Sequence, residues 1–284
     1  MRFAIVHLSD IHFRKNANPV TDRVDAFVSA INSIDPTVTL IVIGVSGDIA
    51  FSGQPDEYKS AITFFNVVRE RLGNLRPGVL IEILTVPGNH DCALPQDQRR
   101  LREVVIAGFV PTINDDQQDR ALLDELLNVQ ASYNNFRSQL NGYRPPWDKL
   151  CETLAIDHLG YKLQFNLYNT ALLSRHDEQQ GALYMPVRAL SEQITLDDTS
   201  ALSISLFHHS YLWLESNNAL AFRNHIERTS DVALTGHQHY RHDYYKTNIT
   251  GERVLYIEGD ALQGESFTKA SAFGILLFDL EVVA

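Results

Sequence analysis

With 284 residues, 44% of them hydrophobic and 21% charged, the chain has the composition of a soluble globular protein. That length has room for one large α/β domain, or for one domain with a substantial insertion. A formal net charge of −11 argues against a broad basic surface gripping duplex DNA through many phosphates without eliminating nucleic acid, because bound divalent cations would create a positive patch locally.

The first residues, Met1-Arg2-Phe3-Ala4-Ile5-Val6-His7, run straight into Ser9-Asp10, without the apolar stretch and small-residue cleavage site of a signal peptide. They read as the first core strand, Arg2–Leu8, of a cytoplasmic protein. Val24, Phe27, Val28, Ile31 and Ile34 follow a helical stripe. Thr39–Ile43, β-branched at every position but Leu40, is a continuous run suited to a strand buried on both faces. Pro55-Asp56-Glu57 opens a second helix with proline and acids at its amino end. Its apolar positions are Tyr58, Ala61, Ile62, Phe65, Val68 and Leu72. Val79–Val86 is the third predicted strand.

From residue 96 to about residue 150 the pattern becomes helical. Leu101, Val104 and Val105 mark one stripe; Leu122, Leu126, Val129, Tyr133 and Phe136 mark the next. Asn114-Asp115-Asp116-Gln117 separates the two, and Arg144-Pro145-Pro146-Trp147 closes the region. No metal-ligand motif falls inside it, so it reads as a helical, cap-like insertion in a single domain spanning residues 1–284. Strand signals return at Tyr161–Tyr168, Leu202–Phe207, Val232–Leu234, Arg253–Ile257 and Phe273–Leu280, with helices after Pro186 and over Ser216–Glu227. No stretch reaches the roughly 20 apolar residues that cross a bilayer, so no membrane partner is expected. The chain reads equally as a whole protein or as one domain of a larger one, and its oligomeric state is not legible.

Five short blocks follow predicted strands in a fixed order: Asp10-x-His12, Gly47-Asp48, Gly88-Asn89-His90-Asp91, His208 and Gly236-His237-x-His239. Together they offer carboxylates, imidazoles and one amide carbonyl, the ligand chemistry of two adjacent divalent ions. Such a pair binds phosphate, generates hydroxide from water and stabilises in-line displacement. Asp10 and His12 project to one side of an extended turn, as do His237 and His239. A bridging position suits Asp48, whose carboxylate has two oxygens to share. His90 is better used as an acid than as a ligand, with Asp91 to orient it. Cys92 and Cys151 are too few for a disulfide framework or a cysteine-rich zinc site, and Cys92 reads as a packed thiol beside the site.

These blocks resemble the signature of the calcineurin-like metallophosphoesterase superfamily, and the resemblance covers nearly the whole chain. It rests on Leu8-Ser9-Asp10-Ile11-His12, Ser46-Gly47-Asp48, Pro87-Gly88-Asn89-His90-Asp91, Phe207-His208-His209 and Thr235-Gly236-His237-Gln238-His239. By that resemblance the fold is a four-layered α/β/β/α sandwich of two mixed sheets. Asp10, His12, Asp48 and His239 hold one metal; Asp48, Asn89, His208 and His237 hold the other. His90 matches the histidine that assists the leaving group, and Ser210 stands where the family carries proline. Manganese is the favoured metal, with iron, zinc and nickel accepting the same donors.

The departures narrow the class. Phosphoprotein phosphatases of this superfamily carry arginines after Gly-Asp and before Gly-Asn-His-Glu, which these segments lack, leaving bidentate monoester recognition less well provided for. The Ser-Asp-x-His opening and the Asp91 ending look more like cyclic-nucleotide phosphodiesterases and the nuclease subunits of double-strand-break repair complexes. The expected activity is therefore hydrolysis of a nucleotide or nucleic-acid phosphodiester. Alternatives are a phosphomonoesterase or nucleoside-polyphosphate hydrolase on the same metals, and a scaffold module without turnover. Arg175, His176, Arg241 and His242 are candidates for substrate phosphate, His209 for substrate or the surroundings of the metals, and Tyr240 and Trp213 for base stacking.

Overall fold

The computed structural model describes residues 1–114, 119–142, 150–194, 199–247, 251, 253–263 and 271–280. The expected break at 115–117 and the closure at 144–147 lie outside these residues. In the first half, β1 (Arg2–Leu8), α1 (Pro19–Asp22), α2 (Val24–Asn32), β2 (Leu40–Val45), α3 (Pro55–Leu75) and β3 (Leu80–Thr85) precede three helices, α4 (Arg99–Phe109), α5 (Arg120–Asn128) and α6 (Ala131–Asn141). Then come β4 (Cys151–His158), β5 (Tyr161–Tyr168), α7 (Val187–Gln193), β6 (Leu202–Leu206), α8 (Ser216–Thr229) and β7 (Val232–Thr235). The last strands are β8 (His242–Thr247), β9 (Arg253–Glu258) and β10 (Gly274–Asp279).

The strands form two mixed sheets, ordered β10-β1-β2-β3 and β4-β5-β6-β7-β9-β8. Within the first, β1, β2 and β3 run parallel and β10 is antiparallel to β1. Every residue of β2 is buried because both faces are covered, which explains its unbroken apolar run. Phe3, Ile5, Leu40, Val42 and Leu84 face Leu163, Phe165, Ile204, Leu206 and Leu234 of the second sheet, and this is the inner core. The outer face of the first sheet packs on α2, α3 and α6; that of the second packs on α4, α5, α7 and α8. The result is the expected α/β/β/α layering.

Local chemistry sets the element ends. Pro55 opens α3, and Glu57 accepts from the amides of Ser52 and Gln54, both at 2.9 Å, closing the first turn. Two strands carried no readable signal. Both β4 and β8 are sheet edges, and β8 is exposed along nearly its whole length, so neither needs an apolar run. The stripe of α4 is also rotated from expectation. Leu101 and Val104 are exposed, whereas Val105, Ile106, Phe109 and Arg102 are buried. From α6, Tyr133, Phe136 and Leu140 join Tyr58 and Phe65 of α3 in the core. The helices of residues 96–150 thus supply side chains to both helical layers.

Candidate metal centre

Parallel strands from both sheets end on one edge, and the loops that follow β1, β2, β3, β6 and β7 carry the five sequence blocks. The first two loops are zipped together by backbone: Ile11 and His12 amides both donate to the Asp48 carbonyl at 2.9 Å. Asp10 (φ 53), His12 (φ 52), Asp48 (φ 54), His237 (φ 74) and His239 (φ 56) all lie in the left-handed region. Among the described residues only Leu159 is another non-glycine with positive φ. Each such residue costs of order 1 kcal/mol, and such strain concentrates at functional sites. Gly88 is required by contact: a Cβ there would sit 2.2 Å from Asp48 Oδ1 and 2.8 Å from His208 Nε2.

The donor atoms converge. His239 Nε2 lies 3.1 Å from Asp10 Oδ1, and His12 Nε2 lies 3.9 Å from Asp48 Oδ2. His208 Nε2 is 3.4 Å from Asp48 Oδ2, 3.1 Å from Asn89 Oδ1 and 3.1 Å from His237 Nδ1. Groups able to hold an ion are Asp10–His12–His239, Asp10–Asp48–His208, His12–Asp48–His90 and His208–His209–His237. Buried His12 Nε2 has no hydrogen-bond partner, and buried Asp10 Oδ1 faces the ring nitrogen of His239. Lone pairs facing one another across a few ångströms fit cations better than they fit each other. Burial alone would raise Asp48, but the imidazoles of His208, His12 and His90 hold its carboxyl well below the usual range. Burial would likewise lower His208, yet Asp48 and Asp10 lift it to about 10.

The sequence profile of the calcineurin-like phosphoesterase family matches residues 3–241. The chain belongs to this family. It has the family's α/β sandwich, with clusters of side chains able to hold metal ions at one edge. A curated relative, the glycerophosphodiester phosphodiesterase GpdQ of Enterobacter lignolyticus (strain SCF1), is 34% identical over 93 residues. That stretch is 31% of this chain and 29% of the relative, so under a third of the relative's length is matched. Among solved structures, a dimetal phosphatase from Danio rerio superposes with a TM-score of 0.50 at 12% identity, covering 96% of this chain and 91% of that one. Among the described residues no helix is long and apolar enough to cross a membrane.

The other expected site residues of this family member divide clearly. His90 is at the centre: its ring centroid is 4.6 Å from that of His12, its amide donates to Asp48 Oδ1 at 2.9 Å, and its Nδ1 lies 2.6 Å from the Phe51 carbonyl. Asp91, expected to orient His90, does something else. Its carboxylate accepts from the amides of Ile49 (3.2 Å), Ala50 (2.9 Å) and Gly88 (2.9 Å) and from Tyr58 Oη (2.8 Å), so it is fully engaged in tying loops together. His209 lies beside the cluster, its ring 4.7 Å from His237. Trp213 stands edge-on to His237 at 4.2 Å, a wall of the site.

The four candidates for substrate phosphate lie in none of the ion-holding groups. Arg175 pairs with Glu103 at 3.2 Å, and His176 Nε2 lies 3.2 Å from the Pro95 carbonyl. Arg241 is exposed near Asp243 at 3.8 Å, and His242 opens the exposed edge strand β8 with Tyr240 and Tyr244 as ring neighbours. Cys92 is a buried free thiol, pushed by burial up to about 12.

Several contributors escaped the sequence reading. Ser46 presents its carbonyl to His208 Nδ1 at 2.7 Å, and Phe51 presents its own to His90. Arg14 stacks its guanidinium 4.0 Å over the Phe51 ring. Glu178 and Thr170 hold His209, at 3.1 Å each. Ser46 was legible only as part of Ser-Gly-Asp; nothing marked the others, because they meet the site through space from unremarkable loops.

Proposed function

We propose that this phosphoesterase is a dinuclear phosphodiesterase acting on a nucleotide or nucleic-acid phosphodiester. Asp10, His12, Asp48 and His239 bind one ion, and Asp48, Asn89, His208 and His237 the other. The pairwise approach of these donors supports that division, with Asp48 close to imidazoles of both sets. Bound divalent ions supply a nucleophilic water of lowered pKa and neutralise charge on the phosphoryl oxygens during in-line displacement. Manganese suits a set of three carboxamide or carboxylate side chains and four imidazoles, as do iron, zinc and nickel.

The protein's own part is positioning and proton transfer. The Phe51 carbonyl fixes the His90 ring through Nδ1, and the role that suits this ring beside the donor cluster is donation of a proton to the departing ester oxygen. His208 is fixed in the same way by the Ser46 carbonyl at Nδ1, which turns Nε2 toward Asp48 and Asn89, with which it would hold an ion. The observation that carries the diester reading is the 34% identity to a phosphodiesterase over 93 residues.

The test is hydrolysis with added Mn²⁺ of bis-p-nitrophenyl phosphate, p-nitrophenyl phosphate, cyclic nucleotides, single- and double-stranded DNA, and RNA. A kcat/KM higher for the nitrophenyl diester than for the monoester, with turnover of at least one nucleotide diester, is the expected result. A monoester preference would overturn the diester assignment. Full metal binding without turnover of any of these would leave a scaffold.

A further inference from the structure

Residues 169–178 form the loop after β5, and both of its sides are occupied. Arg102 of α4, only 6% exposed, donates to the carbonyls of Leu172 (2.7 Å), Ser174 (3.0 Å) and Leu126 (2.9 Å). A buried guanidinium satisfied by carbonyls alone is costly to desolvate, so its place here implies that holding those carbonyls matters. Gln130, between α5 and α6, exchanges hydrogen bonds with Asn169 (3.2 and 2.7 Å) and donates to the Ala171 carbonyl at 3.3 Å. Arg175 pairs with Glu103, and Arg99 with Asp177. The α4–α6 segment therefore grips this loop along its length.

The same loop delivers two side chains to the metal-facing histidines. Thr170 Oγ1 accepts from the amides of His208 (3.3 Å) and His209 (3.0 Å) and lies 3.1 Å from His209 Nδ1. With both amides donating to that oxygen, the hydroxyl proton is the one directed at Nδ1. His209 Nε2 then carries its own proton and donates to Glu178 Oε2 at 3.1 Å. Both side chains of this pair are buried: His209 fully, and Glu178 with 7% of its side chain exposed. Neither nitrogen of His209 is left for an ion, yet its ring sits 4.8 Å from His208 and 4.7 Å from His237. His237 is flanked on another side by Trp213.

We infer that Glu178 is a positioning residue of the His208–His237 subsite, acting through His209, and that the α4–α6 segment controls this subsite by bracing the loop that carries Glu178. This rests on the reading of His208 and His237 as ligands of one ion. Rotating His209 by loss of Glu178 frees the wall against which both ligand rings are set. Among the described residues Asp10, His12 and His239 share no hydrogen bond or ion pair with this loop, so the ion they would hold should keep its ligands.

The experiment is Mn²⁺ titration of the full-length protein after chelator dialysis, followed by electron paramagnetic resonance, which separates an isolated ion from a spin-coupled pair. Glu178→Gln keeps the shape and can still accept from His209 Nε2 but removes the charge; Glu178→Ala removes both. His237→Ala serves as the control for the ligand reading. Binding of the second equivalent should weaken about 10–100-fold in Glu178→Ala, the usual scale for a residue supporting a ligand, and less in Glu178→Gln. The first equivalent should be unchanged, and loss of the coupled signal should parallel loss of the second ion. Wild-type affinity for both ions in Glu178→Ala, or equal weakening of both in Glu178→Gln, would overturn the positioning role. If Glu178→Ala is unfolded by circular dichroism, Glu178→Gln alone decides by the same two outcomes. If His237→Ala still binds two ions with wild-type affinity, the ligand reading itself is wrong. A control that loses the second ion beside Glu178 variants that keep it rejects only the inference.

Discussion

The Tyr58 hydroxyl donates to Asp91 Oδ1 at 2.8 Å, fastening the first turns of α3 to the loop that carries Asn89 and His90. The same carboxylate receives the amides of Ile49 and Ala50 from the loop after β2. Burial, with the Asp48 charge nearby, pushes Asp91 up to about 6, so its donors work against a real cost of ionisation. Tyr58→Phe removes one of them without changing shape. It should lower stability to urea by about 1–3 kcal/mol. An unchanged unfolding midpoint would show that the three amides alone satisfy Asp91.

Asp48 is 1% exposed, within 3.4 Å of His208 Nε2 and 3.9 Å of His12 Nε2. An amide at this position offers a single neutral oxygen in place of a charged, shareable pair. Asp48→Asn should weaken both ions by more than the roughly 100-fold upper end for a supporting residue, and abolish hydrolysis. Elemental analysis finding two full equivalents in an active variant would sink the bridging assignment.

His90 touches the cluster through its backbone amide and ring, but its Nδ1 is taken by Phe51. His90→Ala should keep both ions and lose about 10²–10⁴-fold in turnover of an alkyl diester. With a nitrophenyl leaving group, which needs little protonation, the loss should shrink. Equal losses on both esters would argue against leaving-group assistance, and metal loss would make His90 a ligand.

Far from the metals, His225 is 1% exposed, with Nε2 3.0 Å from Tyr168 Oη and Nδ1 3.3 Å from Ser191 Oγ. Burial, aided by Arg228, lowers it to about 4. In the unfolded chain it titrates near 6.5, so between these values the unfolded state binds more protons than the folded one. The stabilisation from neutral His225 is complete above pH 6.5 and is lost as pH falls toward about 4. His225→Gln should therefore narrow its stability deficit to wild type by roughly 2 kcal/mol between pH 7.5 and 4.5, in paired urea unfolding curves at equal Mn²⁺. A deficit independent of pH would mean that His225 titrates normally.

The inner strands and the order of the five blocks were legible because both report on burial and donor chemistry, which residue types carry directly. Thr39–Ile43 announces a strand covered on both faces, and Asp10-x-His12 announces two donors at one turn. The edge strands β4 and β8 were hidden, since partial burial leaves no apolar alternation to read. So was the fate of Asp91: the sequence places it next to His90, but a 3₁₀ turn over Asn89–Asp91 points the two side chains to different partners. Glu178 lies 31 positions from His209, and no spacing rule joins them. The α4 stripe misled because Arg102, a residue expected outside, occupies the inward position.

Backbone and side chain meet across 227 residues where the His237 amide donates to Asp10 Oδ2. A growing chain thus holds Asp10, His12, Asp48 and Asn89 long before it holds His208, His237 and His239. That early half of the proposed ligand set is rich in oxygen and suits hard cations such as Mg²⁺ and Mn²⁺, whereas the late half is all imidazole and suits Zn²⁺ or Fe²⁺ as well. Were an ion captured before closure, it would face different competitors from one captured after it, and the order of synthesis would then filter metal choice. Protein made in cells and protein refolded in mixed Mn²⁺ and Zn²⁺ should accordingly differ in metal content. Identical content by both routes would mean that the closed site, and not its assembly, makes the selection.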